Sequence, residues 1–202
     1  MKKLKKLIFE QGCHIILLRH SHRHEIPTGS FGDEAVLTDE GRKAAENLGK
    51  KLGKVQWGEV HSSPLVRCLE TALHFLKGAG QNIPVQLSTL LGNPGPFVSN
   101  PDEAGSLFLS TTLQEIMNKI AKGEPIPGIR SLQEGGLLFE KHLKTIQKFP
   151  CLMFSHDIII ALLYAYFNNS NQLLEQLPDF LDGFCLQFDD NGMLIPTNFK
   201  DS

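Results

Sequence analysis

Apolar residues fall into short runs separated by polar turns and by longer stretches of helical periodicity. His14 to Leu18 is a continuous apolar run that reads as a buried strand. A loop from Ser21 to Leu37 follows. Thr38 has the character of a helix N-cap, with Asp39 and Glu40 in the first turn. Ala44, Ala45, Leu48 and Leu52 then share one helical face, and Gly53 ends it. Trp57 to His61 predicts a second strand. Ser63 as N-cap and Pro64 as first residue open another helix, lined by Leu65, Leu69, Ala72 and Leu76 and ending near Gly78. Ile83 to Leu87 is a third strand.

The second half begins irregularly, at Leu91 to Asn100, where proline and glycine are dense. Leu109, Leu113, Ile116, Met117 and Ile120 predict one helix, and Phe139, Leu143 and Ile146 the next. Between them, Gly123 to Ile129 breaks the chain. Cys151 to Phe154 is a strand and Ile158 to Phe167 an apolar helix. Phe184 to Phe188 and Met193 to Ile195 flank Asp189-Asp190-Asn191-Gly192, whose Asn-Gly pair signals a hairpin at a sheet edge. This order predicts one α/β domain over residues 1–202, a three-layer α/β/α sandwich with a mostly parallel sheet. Residues 92–134 read as an insertion that sets specificity above the sheet.

Composition narrows the function classes. With 202 residues, a net charge of -2 and a pI near 6.4, the chain has no overall basic footprint for nucleic acid. The apolar run from Ile158 to Phe167 is about half of the roughly 20 residues that a membrane span needs. Basic residues precede Leu7-Ile8-Phe9, too short a run for a signal peptide. A cytoplasmic protein with a solvated basic lead-in over residues 1–12 is expected. Cys13, Cys68, Cys151 and Cys185 show no CxxC pairing. Free thiols, a reducing compartment and no zinc site are the reading. His20, His22 and His24 alternate, which permits a metal site, but no cysteine or carboxylate at ligand spacing completes one.

Three strand ends carry the candidate chemistry. The first holds Arg19, His20 and Arg23. The second runs Ser62-Ser63-Pro64-Leu65-Val66-Arg67, with Arg67 one turn into its helix and leaning toward the helix mouth. The third is Ser155-His156-Asp157, where Asp157 also suits an N-cap. Two imidazoles, three guanidiniums and one carboxylate at one sheet edge suit a phosphoryl group, whose transfer depends on positioning and charge stabilisation. Ser155, His156 and Asp157 are consecutive, so they do not form a hydrolase triad, and no G-x-S-x-G elbow is present.

Leu18-Arg19-His20, Leu37-Thr38-Asp39-Glu40-Gly41, Ser62 through Ala72 and Ser155-His156-Asp157 together resemble the histidine phosphatase superfamily. That superfamily includes phosphoglycerate-mutase-like enzymes and histidine acid phosphatases. The resemblance implies a phosphoglycerate mutase-like fold, hydrolysis of a small phosphorylated substrate and no metal or other cofactor. It implies that His20 is the nucleophile, passing through a phosphohistidine. Arg19, Arg67 and His156 would bind the phosphoryl oxygens, and Arg23 fits the second arginine of the family's Arg-His-Gly-x-Arg motif. Two departures stand out. Ser21 replaces the usual glycine, where a side chain would crowd the phosphate or add a hydroxyl donor. Leu90-Leu91-Gly92 lacks the carboxylate that the mutase-like branch carries in a Leu-x-Glu setting. The acid-phosphatase branch uses the Asp after the second His, which makes Asp157 the general acid and Asp102 or Glu103 the fallback. The alternatives are a mutase and an inactive phospho-ligand or phosphoprotein binding module, which Ser21 keeps open.

Overall fold

A computed structural model describes residues 12–27, 29–170 and 177–198; most of the basic lead-in lies outside them. Six strands form one sheet in the order β3-β2-β4-β1-β5-β6. They are β1 (Ile15–Arg19), β2 (Glu59–Ser62), β3 (Val85–Leu87), β4 (Cys151–Ser155), β5 (Gly183–Phe188) and β6 (Leu194–Asn198). The first four run parallel, and β5 and β6 are antiparallel, with β6 at the edge. The hairpin expected at Asn191-Gly192 is there, turned by the Asp189 carboxylate, which accepts from Asn191 N and Met193 N. The α/β/α sandwich with a mostly parallel sheet is as expected.

Alternation along the strands sorts the two cores. Ile16, Leu18, Val60, Leu152 and Phe154 face helices α1 (Asp39–Leu52) and α2 (Val66–Ala79), which supply Leu48, Leu52, Ala72 and Phe75. Ile15, Leu17, Met153 and Leu186 face α4 (Leu113–Lys122), α5 (Leu132–Leu143) and α6 (Asp157–Phe167). Helix α3 (Pro101–Ser110) lies within residues 92–134.

Four expectations are corrected. The periodic stretch around Leu109 to Ile120 is two helices, because Thr112 and Glu115 close a capping box and restart the chain. A second box, Ser131 with Glu134, starts α5 at Leu132, well before Phe139. Helix α2 has Leu65 as its N-cap and Val66 as its first residue, each two residues later than the expected Ser63 and Pro64; Ser63 Oγ accepts from Leu65 N instead. Cys13 and Cys185 are joined in a disulfide, their Cα atoms 6.1 Å apart, brought together by the β1–β5 pairing. Only Cys68 and Cys151 are free and buried, so the reducing-compartment reading loses half its basis.

Candidate active site

The site forms where β2, β4 and β1 end side by side. Arg19 pairs with Ser155 and Ser62 with Phe154, so His20, His156 and Ser63 each sit one residue past the ladder. His20 N donates to Ser155 O at 2.9 Å and Ser63 N to Phe154 O at 3.0 Å, which carries the sheet's register into the site.

The loop after His20 is fixed by the motifs around it. Thr38 Oγ1 caps α1 by accepting from Gly41 N at 3.0 Å. Gly41 lies against the His22 carbonyl, where any Cβ would overlap that backbone oxygen. Glu70 on α2 accepts from Leu37 N at 2.7 Å, and its other oxygen pairs with Arg42. Thr71 Oγ1 donates to Arg67 O and accepts from Ser21 N. Ser21 Oγ donates to Gly41 O at 2.8 Å and is fully buried. The serine does not line the site's cavity, and its hydroxyl ties the His20 loop to α1.

His20 is 3% exposed. Its Nδ1 lies 2.8 Å from Ser21 O, an acceptor only, so Nδ1 carries the proton and Nε2 keeps a lone pair. Burial, then the charges of Arg67 and Arg19, push its pKa down to about 3, so the ring is neutral at ordinary pH. The His156 ring lies 5.5 Å away, centroid to centroid. Arg67 donates to His156 Nδ1 at 3.3 Å, which leaves the Nε2–H to meet Ser63 Oγ at 3.0 Å. Burial and the neighbouring guanidiniums hold His156 well below the usual imidazole range. Gly92, at φ +142°, packs directly on this ring.

The guanidiniums are anchored and still under-satisfied. Arg19 donates to Pro178 O at 3.0 Å and pairs with Asp157 at 2.6 Å. Arg67 donates to Gly32 O at 2.6 Å. The Nε atoms of both are buried without a partner, an expensive state for a charged donor set unless an anion arrives. Arg23 is held by the His24 carbonyl, and burial and Arg19's charge lower its pKa. Arg19, His20, Arg23, Arg67, His156 and Asp157 all line one cavity of about 260 Å³. The structure thus brings every candidate residue together, apart from the fallback acids. Asp102 and Glu103 lie exposed in the first turn of α3 and do not line the cavity. Asp157 is the first residue of α6; His156 takes the N-cap position that Asp157 was expected to fill.

The sequence reading missed Phe180. Its ring lies 4.2 Å from Arg19 Cζ, with His20 and His22 also against it. It sits in an irregular stretch with no periodicity or motif, so no local signal marked it. His24 is exposed, and among the described residues no group of three or more metal-ligating side chains comes together.

The model of "Histidine phosphatase superfamily (branch 1)" matches residues 15–92. The serine/threonine-protein phosphatase Pgam5, mitochondrial, of Drosophila yakuba is 38% identical over 77 residues, 37% of this chain and 26% of that protein. The chain therefore spans about a quarter of the length of the curated relatives it matches. Among solved structures, a mycobacterial glucosyl-3-phosphoglycerate phosphatase superposes with a TM-score of 0.65 at 17% identity, covering 92% of this chain and 96% of that one. A phosphoglycerate mutase from Bacillus anthracis gives 0.60 at 16% identity, covering 92% and 91%. The Arg19-His20 and Ser62–Ala72 motifs lie inside the segment, residues 15–92, that matches the histidine phosphatase superfamily (branch 1) model, and the fold around them is shared with these solved structures.

Proposed function

We propose that the protein hydrolyses phosphomonoesters through a phosphohistidine at His20. The observation that carries this is a neutral imidazole, Nε2 lone pair free, among three guanidiniums lining one cavity. Nε2 attacks phosphorus as the ester P–O bond breaks. The guanidiniums of Arg19, Arg23 and Arg67 spread the charge on the equatorial oxygens. Arg67 shifting from His156 Nδ1 to phosphate frees that nitrogen, and the dianion's field favours the imidazolium, which then donates to a phosphoryl oxygen.

Asp157 supplies the proton to the departing alkoxide. In the resting site it pairs with Arg19. An incoming phosphoryl group competes for that guanidinium and frees the carboxyl group to face the bridging oxygen. In the second step water attacks phosphorus, the N–P bond breaks, and Asp157 takes the water's proton.

The experiment is hydrolysis of 4-nitrophenyl phosphate by wild type and His20→Ala, with mass spectrometry of the base-quenched enzyme. Turnover and an acid-labile phosphoryl adduct on His20 are expected in wild type, and neither in the variant. Turnover surviving in His20→Ala sinks the nucleophile assignment. Phosphate binding without turnover on any monoester makes the protein a binding module instead. A phosphoprotein substrate is a second reading, favoured by the identity with Pgam5; phosphoserine and phosphothreonine peptides in the same panel separate it.

A further inference from the structure

We infer that the alcohol half of the substrate is a hydrocarbon group, small enough to be enclosed. The inference rests on the phosphatase reading for the phosphoryl half and on the cavity wall for the rest.

Beyond the six charged or imidazole residues, the cavity of about 260 Å³ is walled by hydrocarbon. Phe97 follows the Gly92–Pro96 loop, Phe108 comes from α3, Ile116 from α4 and Ile129 from the turn before α5. Ile159 and Leu162 close the opposite side from α6. Among the described lining residues away from the phosphoryl cluster, Asn93 is the single polar side chain. Arg130 is nearby in sequence, but its Nη1 donates to the carbonyls of Pro96 and Val98, and the residue does not line this cavity.

A sugar, glycerate or carboxylate leaving group would lose its water here and find almost no donors or acceptors in exchange. A hydrocarbon group gains from the same wall. Size sets the limit. An apolar cavity of about 150 Å³ holds benzene, so this one holds a phosphoryl group with about six to eight carbons beside it.

The test is a homologous series: methyl, butyl, hexyl and decyl phosphate, with 6-hydroxyhexyl phosphate as the matched polar control. Their leaving groups have nearly the same intrinsic reactivity. Expected is a rise in kcat/KM of about threefold per methylene up to hexyl, no further rise at decyl, and a loss of at least tenfold for the hydroxyl-ended chain. Phe108→Ala, at a half-buried position, should cut the hexyl-to-methyl ratio severalfold. A flat series with turnover on every member overturns the inference and leaves the phosphatase reading standing. No turnover on any monoester overturns that reading alone. Calorimetry with hexylphosphonate and methylphosphonate then decides the cavity. Tighter binding of hexylphosphonate by tenfold or more supports it, and equal binding overturns it.

Discussion

Gly92 stands where the mutase-like branch of the family carries a carboxylate, so Gly92→Glu looks like a restoration of function. The structure predicts a loss. Gly92 has φ +142° and sits in a region of backbone space that only glycine occupies freely; forcing another residue there costs about 1–3 kcal/mol. Its Cβ would lie 2.5 Å from His156 Nε2 and 2.8 Å from Ser63 Oγ. Neither neighbour can step aside cheaply: His156 is 8% exposed and Ser63 is fully buried. Overpacking of this kind costs about 1–3 kcal/mol more. The sum, about 2–6 kcal/mol, lowers Tm by roughly 5–20 °C in a chain of this size. Ground lost in geometry matters as much, because displacing the His156 ring by about 1 Å costs on the order of a hundredfold in rate. Gly92→Ala isolates the effect, since it adds the Cβ and no charge. Thermal melts and kcat/KM on hexyl phosphate should show both variants destabilised and at least a hundredfold slower. An alanine variant that melts with wild type and keeps its activity would refute the close packing on which this reasoning stands.

Three further expectations follow from the site. Asp157→Asn should lower kcat on hexyl phosphate by roughly 10²–10⁴-fold while sparing 4-nitrophenyl phosphate, whose leaving group needs no proton; equal losses on both would make Asp157 a positioning partner of Arg19 only. Phe180→Ala removes the ring under Arg19, worth about 1 kcal/mol, so the Kd for inorganic phosphate should weaken about fivefold, and unchanged affinity by calorimetry would dismiss the stacking. His20 titrates near 3 when folded against 6.5 ordinarily, so between those values the unfolded chain binds the extra proton and acid destabilises the fold. The penalty is absent above about pH 6.5 and grows on acidification by up to about 1.4 kcal/mol per pH unit. Urea unfolding of His20→Asn should show a shallower acid slope than wild type, and an identical slope would contradict the buried neutral ring.

What was legible in the sequence is what strand ends and helix starts write locally. The apolar runs at Ile15 and Cys151 and the Ser62-Ser63-Pro64 entry put His20, His156 and Arg67 at one edge, because parallel strands align their ends. The misplaced helices were legible too. Thr112-x-x-Glu115 and Ser131-x-x-Glu134 are capping boxes in plain sight, and apolar periodicity ran across the first and started late at the second. Other features were not legible, because they exist only across the fold. Phe180 reaches Arg19 from 161 positions away. The Cys13–Cys185 bond spans 172 residues and needs the antiparallel β1–β5 pairing. The Arg19–Asp157 ion pair likewise depends on β1 and β4 lying side by side.

The match to the family ends at residue 92, which is where the cavity changes character. Upstream of it lie His20, all three guanidiniums, and the Thr38–Gly41 and Glu70-Thr71 contacts that hold the His20 loop. Downstream lies almost the whole hydrocarbon wall. The two halves answer to different physics. The phosphoryl end needs fixed donors in one geometry, so its loops are braced by backbone and side-chain hydrogen bonds that tolerate few changes. The alcohol end needs only volume and the right polarity, so it can be rebuilt by exchanging apolar residues of similar size. Asp157 sits at the seam, on the first turn of α6, two and five residues before Ile159 and Leu162, which line the same cavity. With Asp157 as the proposed acid, a proton given there would reach the bridging oxygen whatever hydrocarbon lay beyond it, so exchanging Ile116 or Ile129 for a smaller apolar residue should change which chain length is preferred and leave the Asp157→Asn defect in proportion.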